Sequence, residues 1–211
     1  VLAACYNYNR RHAQEEELER APGCNFYCRD HYLLAMPSDA SSLAQWSPLH
    51  VTADLAPILH KVGHTLTRLP APSSLLLFGG ANLQRAASTV TNDAWVLRFT
   101  DSGALFAAHR LFASGEPPSP RSHHSATAVG RWICVVGGYG SAGRCLRDVH
   151  LLDTCEWRWS RPHFGGSPPP ALARHTATLL RGAIHVFGGA SESSRARGRA
   201  QLHLPRAVAP S

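Results

Sequence analysis

The sequence predicts an all-β protein: a row of four-stranded antiparallel sheets, two complete and a third incomplete, behind a short α/β N-terminal extension. Three observations predict it. Double glycines close three apolar runs, "SLLLFGG" at Gly79-Gly80, "WICVVGG" at Gly137-Gly138 and "AIHVFGG" at Gly188-Gly189, at intervals of 58 and 51 residues. A histidine precedes each run: His64, His124 and His175 stand 15, 13 and 13 residues before the first glycine of their pairs. An aspartate and a tryptophan follow the first two runs, Asp93 with Trp95 and Asp148 with Trp157. Self-similarity at a near-constant period of this size marks a repeat architecture.

The second repeat shows the unit most clearly. "PRSHHSATAV" is a short segment able to alternate faces, and Gly130-Arg131 makes a tight turn. "WICVVGG" follows as a strand. Its Val135 and Val136 are β-branched and suit a pleated surface, and its unbroken apolar run implies burial on both faces. The strand is expected to stop at the glycines, which accept backbone angles closed to other residues and let neighbouring chain come close. "YGSAGRCL" reads as a loop, "RDVHLLDT" as a third strand and "EWRWSRP" as a fourth. Asp148 and Asp153 bracket the third strand, where carboxylates accept bonds from turn amides. Trp157 and Trp159 offer large apolar area for packing between sheets. Four short strands of this kind make one blade of a β-propeller.

The same order surrounds the other two glycine pairs. "KVGHTLTRL" precedes the first, and "TNDAWVLRF" with "GALFAAHRLF" follow it; "ALARHTATLL" precedes the third. The pattern of His-Ser/Thr-Ala-Thr, apolar strand, Gly-Gly, loop, Asp strand and Trp strand resembles kelch repeats, over about residues 59–190. The resemblance implies a propeller blade for each repeat. Two departures mark the third: Leu172 stands three before His175, where kelch repeats often carry a basic residue, and no clear Asp or Trp strand follows Ala190. Propellers close with four to eight blades, so two and a half imply a larger product or a partner. The histidines recur once per blade, which separates them in space. Each is expected to bond backbone within its own blade, and no metal site is expected.

Residues 1–36 read differently. Glu15, Glu16, Glu17 and Glu19 lie near Arg10, Arg11 and Arg20, in a stretch that fits a short helix ended by Pro22-Gly23. "FYCRDHYLLAM" reads as a strand closed by Pro37. This helix and strand, with Cys28, His31, Tyr32 and Leu34, are similar to the end of the leucine carboxyl methyltransferase family. One branch of that family joins such a domain to kelch repeats and acts in tRNA hypermodification. The resemblance implies an S-adenosylmethionine-dependent catalytic domain upstream, with tRNA as a partner of the parent protein. Residues 37–58 read as a linker, and 191–211 as a basic, flexible tail.

Composition sets the remaining bounds. No apolar run approaches the roughly 20 residues needed to span a bilayer, and residues 1–12 lack the apolar core of a signal peptide, so a cytoplasmic protein is expected. Net charge is +7, with Lys61 the only lysine, but the arginines are dispersed rather than concentrated in one nucleic-acid footprint. The six cysteines are irregularly spaced, and Cys24, Cys28 and His31 lack a second ligand pair of the zinc type. No strand leads into a Gly-rich turn that opens a helix. No catalytic, cofactor-binding or metal-ligating residue is therefore expected in this chain. The alternative to the methyltransferase reading is a non-enzymatic adaptor that presents its loops to a protein partner. Arg85, Arg121, Arg144 and Arg147 are the candidate contacts.

Overall fold

The computed structural model describes residues 2–3, 31–35, 45–49, 56–59, 61–82, 89–100, 104–165, 170–191 and 199–203. The first full blade pairs Thr65–Arg68, Ser74–Phe78, Ala94–Phe99 and Leu105–Arg110 in sequential antiparallel order. The second does the same with Ser125–Val129, Trp132–Gly140, Cys145–Asp153 and Arg158–Ser160. We call these four positions the inner, glycine, aspartate and outer strands.

The third blade has more than sequence reading gives it. Its inner strand Ala173–Leu180 and glycine strand Ala183–Ala190 are joined by Arg199–His203, which pairs antiparallel with the glycine strand in the aspartate-strand position. Arg199 pairs with Phe187, as Val149 pairs with Val136 and Ala94 with Phe78. The residue before Arg199 is Gly198, where the other blades carry Asp148 and Asp93, so the aspartate signal is missing although the strand is present.

The glycine strand does not stop at its glycines. In the second and third blades it runs through them, and in the second the register shifts between Val136 and Gly138. The pair is a bulge inside a continuous strand; only in the first blade does the strand end at Phe78 and resume at Ala81. At the other end of the sheet the expected tight turn forms in the second blade, with Gly130 at φ 56°, and the third blade turns at Arg181-Gly182, at 49° and 76°.

Two of the apolar clusters lie between blades, and a third lies on the far face of the first blade with Leu59. One apolar cluster joins Leu69, Leu76, Phe78 and Ala94 of the first blade to Ile133, Val135, Leu152 and Trp159 of the second. Another joins Val129, Cys134, Val136, Val149 and Leu151 of the second to Leu172, Ile184 and Val186 of the third. Successive side chains of a strand point to opposite faces, so Ile133 and Val135 serve one joint while Cys134 and Val136 serve the next. This accounts for the unbroken apolar run, and stability resides in the joints, as in other repeat proteins. Trp159, 3% exposed, fills the first joint with its ring centroid 5.1 Å from that of Phe78. Trp157 sits at the margin in a left-handed turn, φ 51°, and Trp95 borders the apolar cluster on the far face of the first blade.

In the front segment, Leu2–Ala3, His31–Ala35 and Gln45–Leu49 form a three-stranded antiparallel sheet, and Ala56–Leu59 is a single helical turn. The strand Gln45–Leu49 falls inside the stretch expected to be a linker: Pro37 closes one strand, but the chain returns to pair with it. The helix expected near residues 10–20 and most of the basic tail lie outside the described residues. No helix among the described residues is long and apolar enough to cross a membrane.

Candidate functional site: the blade joints and the loop end

The histidines hold blades to each other. His124 Nε2 lies 2.9 Å from Thr65 Oγ1 of the preceding blade, and His175 Nε2 lies 2.9 Å from Ser125 Oγ. Two residues on, Thr67 Oγ1 donates to Ala126 O and Thr127 Oγ1 to Ala177 O. The second glycine of each pair donates across the same joint, Gly80 N–H to Arg121 O and Gly138 N–H to Leu172 O, both at 2.8 Å. Bonding within the blade, expected for all three histidines, holds for His64, whose Nδ1 faces Lys61 O at 2.8 Å. In His124 and His175 the corresponding carbonyl already receives the glycine amide of the blade before, and Nδ1 of both rings has no hydrogen-bonding partner.

That environment favours the neutral ring. Burial, and then the positive charge of Arg121, pull His124 down to about 3, and burial lowers His64, His123 and His175 as well. The unfolded chain therefore takes up protons near pH 6.5 that the folded chain refuses. Stability from these rings is complete above pH 6.5 and falls as the pH drops below it, most steeply through the fully buried His124, which contributes a loss of up to about 1.4 kcal/mol per pH unit. The urea midpoint is expected to fall steadily from pH 7.5 to pH 5, where the carboxylates remain ionised; a flat profile would show that the rings take up protons in the fold as readily as in the unfolded chain.

The acidic positions pair with the basic position three before each histidine. Arg121 is 0% exposed, and its two terminal nitrogens meet Asp148 Oδ1 and Oδ2 at 2.7 and 2.8 Å. Its Nη1 also donates to Gly137 O. Burial raises the Asp148 carboxyl, but the bonds from Arg121 and His150 outweigh burial and hold it below the ordinary range. Lys61 and Asp93 make the matching pair at 3.0 Å in the first blade, and Arg110 joins Asp93 from the outer strand. The third blade has Leu172 and Gly198 at these two positions, so cation and carboxylate are lost together. Arg121, expected as a partner contact, is therefore an interior residue: its fork is consumed by Asp148. Asp148 likewise accepts from side chains and not from turn amides, whereas Asp153 does accept the amides of Cys155 and Glu156.

Arg144 and Arg147 are exposed, flanking the turn after the second glycine strand, and Arg85 lies outside the described residues. The same end of the sheets carries a cluster that sequence reading missed. Gly63, His123 and Arg174, each just before its blade's histidine, are all left-handed, at φ 68°, 55° and 60°. They are linked in series, His123 N–H to Gly63 O and Arg174 N–H to His123 O. Both side chains meet Tyr139: the His123 ring is 5.8 Å from its ring and the Arg174 guanidinium 5.5 Å. Non-glycine residues held left-handed are strained, and strain of this sort gathers at functional sites. The only sequence signal was the alignment column Gly63, His123, Arg174.

The repeated joint decides the family question together with one comparison: residues 63–204, about two-thirds of the chain, match the family model described as the KLHDC2/KLHL20/DRC7 Kelch-repeats domain. The chain belongs to the kelch-repeat family. Among its relatives, Kelch domain-containing protein 9 of Mus musculus is 35% identical over 159 residues, covering 72% of this chain and 41% of that protein. Dynein regulatory complex subunit 7 of Chlamydomonas reinhardtii is 34% identical over 131 residues, 61% of this chain and 11% of that protein. Rab9 effector protein with kelch motifs of Danio rerio is 28% identical over 169 residues, 77% of this chain and 44% of that protein. The kelch chain thus spans less than half the length of each of these three relatives.

Proposed function

We propose that this chain is a non-enzymatic kelch binding module that takes an acidic segment of a protein partner on the end bearing His123, Tyr139, Arg144, Arg147 and Arg174. The carrying observation is the left-handed series that holds His123 and Arg174 against Tyr139, with two further exposed arginines, Arg144 just before and Arg147 on the strand that pairs with it. Arginine and tyrosine are the residue types that anchor protein interfaces, and a cluster of one charge sign selects the opposite sign and speeds encounter. Two relatives are named as a complex subunit and as an effector, which supports a partner that is a protein. The tRNA-methylating parent expected from residues 1–36 has no counterpart among the three relatives named above.

Capture from cell extract by the chain, with and without Arg144→Glu/Arg147→Glu/Arg174→Glu, tests this reading. A protein retained by the unmodified chain is expected to fall at least tenfold with the triple variant, while the urea midpoint stays put. Undiminished capture would move the partner to another surface. Methyl transfer from S-adenosylmethionine to tRNA by this chain alone would overturn the non-enzymatic reading.

A further inference from the structure

The segment that enters the second blade, residues 116–120, reads "EPPSP" and carries neither helix nor strand. Glu116, Pro117 and Ser119 are exposed. Three serines of the chain precede a proline, Ser47, Ser119 and Ser167, and Ser119 alone has a cation next after the proline, Arg121. That cation turns back on the serine. Arg121 Nη2 donates to Ser119 Oγ at 3.1 Å, and Nε donates to Ser119 O at 3.0 Å. The remaining donors go to Gly137 O and to both oxygens of Asp148. A guanidinium has five N–H groups, so these bonds leave it no spare donor. The backbone of the same residue holds the first blade: Arg121 N–H donates to Thr91 O, and Arg121 O accepts from Gly80 N–H. A solvent-facing hydroxyl thus lies one hydrogen bond from the residue that ties two blades together.

We propose that Ser119 accepts a phosphoryl group from a proline-directed protein kinase, and that the phosphate loosens the joint between the first and second blades. A serine followed at once by proline is the minimal target of such kinases, and an exposed segment without regular structure is the form in which they take it. In the transfer, Ser119 Oγ bonds to the γ-phosphorus of a nucleoside triphosphate as the bond from that phosphorus to the β–γ bridging oxygen breaks. The hydroxyl proton passes to the base of the kinase, and nucleoside diphosphate leaves. The product carries a charge of about −1.5 to −2. It arrives where one cation is already matched by one carboxylate. Nη2 then has to serve both the phosphate and Asp148 Oδ2, which it meets at 2.8 Å, and the two anions repel. His150 Nε2, 3.1 Å from Asp148 Oδ2, is committed to that same carboxylate. Relief comes as Arg121 turns out towards the hydrated phosphate, which draws its backbone away from Thr91 O and the Gly80 N–H.

Treatment of the full chain with a proline-directed kinase and magnesium ATP tests both parts. Peptide mass spectrometry is expected to place a phosphate on Ser119, and Ser119→Ala to abolish it. Amide hydrogen exchange at Gly80 and Arg121 is expected to be at least about tenfold faster in the phosphorylated chain than in the untreated one. The Gly138 amide, bonded to Leu172 O across the next joint, should be unchanged. Ser119→Ala, which adds no charge, should leave exchange at Gly80 close to that of the untreated chain. A chain left unmodified at Ser119 would overturn the site. Phosphorylation that leaves exchange at Gly80 and Arg121 unchanged, or slows it by clamping Arg121, would overturn the loosening of the joint.

Discussion

An Arg121→Ala chain is expected to lose about 3–5 kcal/mol of stability in urea unfolding, because it leaves a carboxylate without its counter-ion in a site closed to solvent. The side chain of Asp148 is only 17% exposed, and that of Arg121 is fully buried. The arginine also serves Gly137 O and Ser119 O, so truncation orphans acceptors beyond the carboxylate. Removing both charges is a different matter. Replacing a buried ion pair by apolar groups is often neutral, and the third blade does so naturally with Leu172 and Gly198. Arg121→Leu/Asp148→Ala is therefore expected to be more stable than Arg121→Ala, although His150 loses its 3.1 Å contact with Asp148. A single Asp148→Ala change that left stability within about 0.5 kcal/mol, the range of ordinary surface substitutions, would show the pair to be solvated.

Gly137→Ala and Gly188→Ala are expected to differ sharply, although the two glycines are equivalent in the repeat. Both residues are left-handed, at φ 56° and 68°, so either alanine bears the same backbone strain of about 1–2 kcal/mol. At Gly137 the new methyl also meets Leu172 O at 2.5 Å and Leu146 O at 3.1 Å, both backbone atoms that cannot swing aside. Forcing extra volume into a packed site adds about 1–3 kcal/mol. Gly137→Ala should therefore be the more destabilising by about that margin, read as the difference in urea midpoints of the isolated 211-residue chain. Equal losses would mean that the second joint opens freely.

The repeat, the blade and the order of its strands are legible from the amino-acid sequence alone. That information is local: an apolar run of strand length, a glycine pair and a turn residue each act within a few positions, and recurrence raised them above chance. It also marked the third repeat as divergent through Leu172. It did not reveal the strand Arg199–His203, because an aspartate was taken as the sign of that strand. The aspartate is there to meet a cation, and where Leu172 removes the cation the strand survives without it.

What each repeated residue is for emerges from contacts between blades. His124 and His175 look alike in sequence whether they bond their own blade or the one before; the partners, Thr65 and Ser125, lie 59 and 50 residues away. Arg121 and Arg144 are both arginines beside a blade, yet one is spent on Asp148 and the other is exposed, a difference made by a carboxylate 27 residues distant. Gly63, His123 and Arg174 share an alignment column but no side-chain chemistry, so the column alone does not show that all three are left-handed or that His123 and Arg174 meet at Tyr139. In a repeat protein each blade is completed by its neighbour. The element is therefore written locally, but the role of its residues is set across the joint.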